Sequence, residues 1–148
     1  MNYKIILTLL AVVLIQTGCA TKYSTNKTKS DGSLVVYKLT EKQAESIVAT
    51  TLATAYPRQT IHVMPGAVKL FQVRTRVALD WWTTTVTIVP VTGIDNEGKK
   101  VDGCRLDVAG SGSSLTGRIR SRAFRKNLID ELDNSGTGTV VKKIGPRL

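Results

Sequence analysis

The chain has 148 residues, 42% hydrophobic and 5% aromatic, with 21 Lys and Arg against 11 Asp and Glu for a formal net charge of +10. That is one modest domain, too short for a multidomain enzyme and too apolar for a disordered or collagen-like chain. With one His and two Cys, it cannot build a multi-histidine metal centre, a four-cysteine zinc site or a multi-disulfide scaffold from its own residues, and no cofactor or metal is expected.

Met1 to Lys4 puts positive charge before Ile5 to Ile15, an apolar run of 11 residues broken only by Thr8. This is the layout of a secretory signal. A helix of that length reaches only ~17 Å against a hydrocarbon core of ~30 Å, so it does not span a membrane as an ordinary transmembrane helix. Gln16, Thr17, Gly18, Cys19 and Ala20 follow. They resemble the lipobox of bacterial lipoproteins, in which the Cys becomes the lipidated first residue. Thr17 and Gly18 fit that pattern, and Gln16 departs from the aliphatic residue usual at its place. The resemblance covers about the first 20 residues and implies a diacylglycerol on the Cys19 sulfur and an acyl chain, such as palmitate, on its amino group. A multi-chain anchor of this kind holds stably to a membrane. Ala20 is not the Asp that retains lipoproteins at the inner membrane, so a periplasm-facing outer-membrane address is implied for a Gram-negative source. The competing reading is cleavage after Ala20, since Gly18 and Ala20 also satisfy the small-x-small rule, and a soluble periplasmic protein would result.

The expected organisation is therefore a signal peptide over 1–18, lipidated Cys19 and a flexible tether over 19–33, and one α+β domain over 34–148. The tether reading rests on Ala20 to Ser33, which holds one aromatic and no aliphatic beyond Ala20 and so lacks the apolar surface to offset ordering. Its Lys22, Lys27 and Lys29 are either a lure for anionic headgroups or an ordinary solvated linker.

Leu34 to Lys38 reads as a short strand. Thr40 and Gln43 have the spacing of a capping box, and Ala44, Ile47, Val48, Leu52, Ala55 and Tyr56 recur at helical intervals up to Pro57. Val68 to Val91 is rich in Val, Thr, Trp, Ile and Phe and predicts two strands. Phe71, Val73, Val77, Leu79 and Trp81 share one parity, and Gln72, Arg74, Arg76, Asp80 and Trp82 the other, whereas Val86 and Ile88 fall on the even positions. The phase therefore changes near 80–84, which requires a bulge or turn. Asp95-Asn96-Glu97-Gly98 suits a hairpin loop before a strand whose inner face carries Cys104, Leu106 and Val108.

Gly110 to Gly117 (GSGSSLTG) reads as a flexible hinge, lacking the Gly-Lys-Ser/Thr of a phosphate loop. Ser121 is the expected cap of a second helix running to about Asp133, with Phe124, Leu128 and Leu132 as its buried line. Val140 to Ile144 is a candidate edge strand. The pattern sums to a two-layer α+β sandwich: an antiparallel sheet of about three to four strands with two helices.

Two kinds of function remain. One is a binding or structural role through Arg118, Arg122, Arg125 and Lys126, with Trp82 as an exposed stacking contact. Adjacent strand residues face opposite ways, so one of Trp81 and Trp82 must lie outside the core. The basic cluster precedes Asp130, Glu131 and Asp133, an order that opposes the helix dipole and is tolerable on a solvated face. Its natural partner is anionic: phospholipid, lipopolysaccharide or peptidoglycan, or an envelope protein. Export argues against nucleic acid. The other is a hydrolase using Cys104 or a carboxylate with His62, the sole imidazole. Cys104 lies in no recognisable nucleophile motif, so a buried structural thiol is the plainer reading, with an intermolecular disulfide as a sharper alternative. Asp95 and Glu97 with Asp102 and Asp107 read as turn and strand-surface acids, since the loop lacks alternating calcium ligands.

Overall fold

A computed structural model describes residues 21–24, 34–66 and 68–146. The signal segment, Cys19 and the 25–33 part of the expected tether lie outside the described residues.

The fold is α+β, with two helices and one antiparallel sheet. The sheet has seven strands, where three to four were expected. They are β1 (Thr21–Ser24), β2 (Leu34–Tyr37), β3 (Ile61–Met64), β4 (Lys69–Val77), β5 (Asp80–Asp95), β6 (Lys100–Gly112) and β7 (Gly138–Pro146), and the helices are α1 (Glu41–Ala55) and α2 (Leu115–Asn134). Two segments were not foreseen as strands, and a third is placed differently. Thr21–Ser24, expected in the tether, pairs with β6 from Thr21 opposite Gly110 to Ser24 opposite Asp107. Ile61–Met64, too short for its alternation to stand out, pairs with β4. And β7 is not an edge strand, since it pairs with both β2 and β5.

The long β5–β6 hairpin organises everything else. Its loop is as expected: the Asp95 carboxylate accepts from the backbone N–H groups of Glu97 and Lys99, both at 2.9 Å, and Gly98 takes φ +79°. On one face of the hairpin lies the main core, where Val48 and Leu52 of α1 and Phe124, Leu128 and Leu132 of α2 meet Phe71, Val73, Val86, Ile88, Leu106 and Val108. At the hairpin's loop end β6 pairs with β2, β2 with β7, and β7 back with β5, so the sheet closes on itself. Val36, Val91 and Val101 fill that closed end as a second small core.

Both helices are fixed by their caps. Thr40 and Gln43 form the reciprocal capping box that their spacing predicts. The second helix begins seven residues earlier than expected, at Leu115 after the cap Ser114. The Ser114 hydroxyl accepts from the Gly117 N–H at 3.2 Å, while Ser121, the expected cap, is buried inside the helix. Sequence spacing cannot choose between two Ser residues that each precede an amphipathic stretch; the packing of the first turn decides.

The bulge or turn expected near 80–84 is a two-residue turn just before that range, at Ala78 and Leu79, with Ala78 at φ +53°. The turn sets Val77 opposite Asp80, Thr75 opposite Trp82 and Val73 opposite Thr84. Opposed residues share a face, so the odd inner positions of β4 face the even positions of β5.

Candidate functional site

That register reverses the expectation for the tryptophans. Trp82 is only 2% exposed, whereas Trp81 is half-buried and is the indole that reaches the surface. Trp82 lies in a slot made by three glycines: a Cβ at Gly110 would come within 2.5 Å of its ring, one at Gly117 within 2.3 Å of its Cβ, and one at Gly112 within 2.8 Å of its Cα. The stretch expected to be a hinge is thus the ordered end of β6 and the start of α2, and its glycines are needed for close approach rather than freedom. Thr75 donates its hydroxyl to the Trp82 carbonyl at 3.3 Å, which closes the slot from the β4 side.

The β4–β5 turn and the start of α2 are tied together. The Trp81 carbonyl accepts from the N–H groups of Ser113 (3.0 Å) and Ser114 (3.1 Å), and the Ser113 hydroxyl donates to Asp80 at 3.0 Å. One end of the molecule therefore carries the tip of the hairpin and the first turns of the helix. The Arg74 guanidinium sits 5.1 Å from the Trp81 ring centroid, a cation–π arrangement. Arg76 donates to the Ala78 carbonyl across the turn at 3.2 Å.

Because α2 begins at Leu115, Arg118 is helical and follows Leu115 by one turn. Arg118, Arg122 and Arg125 recur at intervals of four and three, so they share a flank of the helix, with Lys126 beside them. Arg122 and Lys126 are exposed, and Arg118 and Arg125 half-buried. Asp130, Glu131 and Asp133 stand at the opposite end, about 20 Å from Arg118 along the axis at 1.5 Å per residue.

The other candidate pair is not assembled. Cys104 is 2% exposed in the main core and donates its thiol to the Leu39 carbonyl at 3.4 Å. His62 is exposed on β3, paired opposite Gln72, and Gln72 in turn lies opposite Thr85 on the face away from the helices. The two side chains leave opposite faces of the sheet, so neither serves as base to the other. The surface acids are structural as expected: Asp107 pairs with Arg105 at 3.0 Å, and Asp102 accepts from the Thr92 hydroxyl at 2.6 Å. A cleft of about 320 Å³ runs between the outer sides of the helices, lined by the hydroxyls of Ser46, Thr50, Thr51 and Thr54 with Asn127 and Glu131.

Two tyrosines are perturbed. Burial, with the Asp133 carboxylate close by, pushes the Tyr37 hydroxyl up to about 12. Burial also raises Tyr56, whose hydroxyl shares a 2.9 Å hydrogen bond with Thr84. Both rings are packed in the core and stay neutral near pH 7, which makes them structural. Among the described residues no helix is long and apolar enough to cross a membrane.

No family model, curated protein or solved structure matches the chain.

Proposed function

We propose that the protein is a lipid-anchored lipoprotein of the cell envelope whose domain works by binding rather than by catalysis. The observation that carries this reading is the run Thr17-Gly18-Cys19-Ala20 directly after an apolar signal segment of 11 residues. The anchor is the acylated Cys19, and the address is the periplasmic side of an outer membrane. Three features support a binding role: the separation of Cys104 from His62, the structural use of the surface acids, and a surface whose most distinctive group is the basic and aromatic end at Arg118, Arg122 and Trp81.

The test is the intact mass of the mature protein purified from membranes, beside that of a Cys19→Ser variant. The expected result is a chain beginning at Cys19 with added acyl mass, lost in the variant. A chain beginning at Thr21 without lipid would overturn the anchor and leave a soluble periplasmic protein. Activity toward envelope ester or amide bonds that is lost in Cys104→Ala or His62→Ala would overturn the binding role.

A further inference from the structure

The domain end that carries Trp81 has three more features in common with a membrane-contacting surface. It holds the most exposed large apolar side chains among the described residues: Leu79, 90% exposed at the hairpin tip, and Leu115 and Ile119, 68% and 57% exposed on successive turns of α2. Leu115 and Ile119 are four residues apart and lie on the side of the helix away from its buried stripe of Ser121, Phe124 and Leu128. Scattered exposed leucines need no explanation, but these three stand at the pole that also carries half-buried Trp81, whose carbonyl accepts from Ser113 and Ser114 at the start of α2.

The same pole is basic. Arg74 and Arg76 are exposed on β4 beside the turn, and Arg118, Arg120 and Arg122 follow on the first turns of α2. One acid, Asp80, stands at the turn and accepts from the Ser113 hydroxyl, and the arginines outnumber it. Cations and exposed apolar side chains at one pole with a Trp among them are the composition that binds an anionic bilayer surface, each element supplying one term: apolar burial, attraction to headgroups, and an indole that prefers the interface. It also accounts for the charge order of α2, in which bases stand at the end that the helix dipole disfavours.

The third feature is where the chain enters. β1 runs antiparallel to β6 with Thr21 opposite Gly110, so the chain reaches the domain from the end that holds Gly112 and Ser113. Cys19 precedes Thr21 by two residues, a reach of at most about 7 Å. An acyl anchor on Cys19 therefore fastens this same pole to the bilayer.

From this we infer that the pole formed by Leu79, Trp81, Leu115 and Ile119, together with Arg74, Arg76 and Arg118, is the docking surface of the domain on an anionic lipid bilayer. The inference rests on the lipid-anchor reading for the position of Cys19 and on the structure for the surface itself. The domain lies seated on the membrane, with the C-terminal half of α2, the outer side of α1 and the closed end of the sheet left free for other contacts.

The experiment uses the mature protein purified from membranes, its acylation read first by intact mass. It is reconstituted into vesicles containing phosphatidylglycerol with brominated acyl chains, and into pure phosphatidylcholine vesicles brominated likewise, and tryptophan emission is followed. Docking quenches Trp81 and spares Trp82, so the quenched part vanishes in Trp81→Phe. Leu79→Asp with Leu115→Asp abolishes the quenching while the acyl anchor keeps the protein on the vesicle. Arg74→Glu with Arg76→Glu lowers the docked fraction about tenfold, as does replacing phosphatidylglycerol by phosphatidylcholine. All four positions are exposed, and near-ultraviolet circular dichroism of Trp82 verifies the fold of each variant. Acylated protein whose Trp81 is unquenched, or equally quenched in both vesicles and in the Leu variants, would overturn the inference and assign the pole to a protein or glycan partner. If the mass shows no acyl chain, the anchor reading fails by itself. Flotation of that unacylated chain with phosphatidylglycerol vesicles then decides the docking surface: binding that is lost in the Leu variants upholds it, and no binding overturns it.

Discussion

Trp82 shows how one residue dictates its neighbours. An indole buried under a helix needs the helix backbone close, and Gly117 supplies the space where any side chain would collide. Replacing an exposed helical Gly by Ala ordinarily stabilises by about 1 kcal/mol. Here Gly117→Ala is expected to destabilise by about 1–3 kcal/mol, because the new methyl meets the Trp82 Cβ. Trp82→Ala removes the ring itself and is expected to cost about 3–5 kcal/mol. Urea unfolding of the two variants checks both values, and a stabilised Gly117→Ala would mean that the slot is looser than it looks. Tyr37 gives a pH prediction of definite sign. Its hydroxyl is held above the ordinary value of 10, up to about 12, so the folded state keeps the proton that the unfolded state gives up. The stability it contributes is full below pH 10 and is lost as pH rises through about 12. Alkaline unfolding monitored by phenolate absorbance should be shallower in Tyr37→Phe. Tyr56 and Lys69 are raised too and add the same sign, Lys69 through its contacts with Glu45 and Glu41, so some alkaline loss persists in that variant.

At the scale of elements, the two Ser residues of α2 separate the expected start of that helix from the real one. Ser114 caps, and Ser114→Ala is expected to cost about 1 kcal/mol. The Ser121 hydroxyl is buried with no hydrogen-bond partner, so Ser121→Ala should be neutral or stabilising. Had the helix begun at Ser121, the order of the two effects would be reversed, and thermal melts of the pair decide it. The β4–β5 turn offers a second comparison. Ala78 sits at φ +53°, where a Cβ costs roughly 1 kcal/mol, so Ala78→Gly is expected to raise stability by up to about 1 kcal/mol despite the added freedom of the unfolded chain. A loss of stability would show that the Ala78 methyl makes contacts worth more than the strain.

For the molecule as a whole, the closure of the sheet through β7 is the feature on which cooperativity depends. β7 bridges β2 and β5, so truncation after Gly136 takes one partner from each and opens the Val36, Val91 and Val101 core to water. Loss of a cooperative unfolding transition is expected, whereas removal of a simple edge strand would leave a weakened but cooperative domain. The same topology gathers at one pole the hairpin tip, the first turns of α2 and the entry of the chain from Cys19. These segments are far apart in sequence, at Leu79, Leu115 and Thr21, and nothing local to any of them announces the others.

By itself the sequence determined what depends on neighbours along the chain. The Thr40 and Gln43 capping box, the stripe through Val48 and Leu52, the inner face of Cys104, Leu106 and Val108, the Asp95 loop and the line of Phe124, Leu128 and Leu132 are all set by spacing, because helix and strand periods place those residues together within one element. Tertiary structure alone decided what depends on partners: which tryptophan is buried, through the cross-strand register of a two-residue turn; whether GSG is a hinge or a socket, through the indole that fills it; and how many strands join the sheet, since four-residue segments such as Thr21–Ser24 and Ile61–Met64 have too few alternations to declare themselves and gain order from pairing with β6 and β4. The separation of His62 from Cys104 is of that kind as well, because the face a strand residue takes is fixed by the sheet it joins.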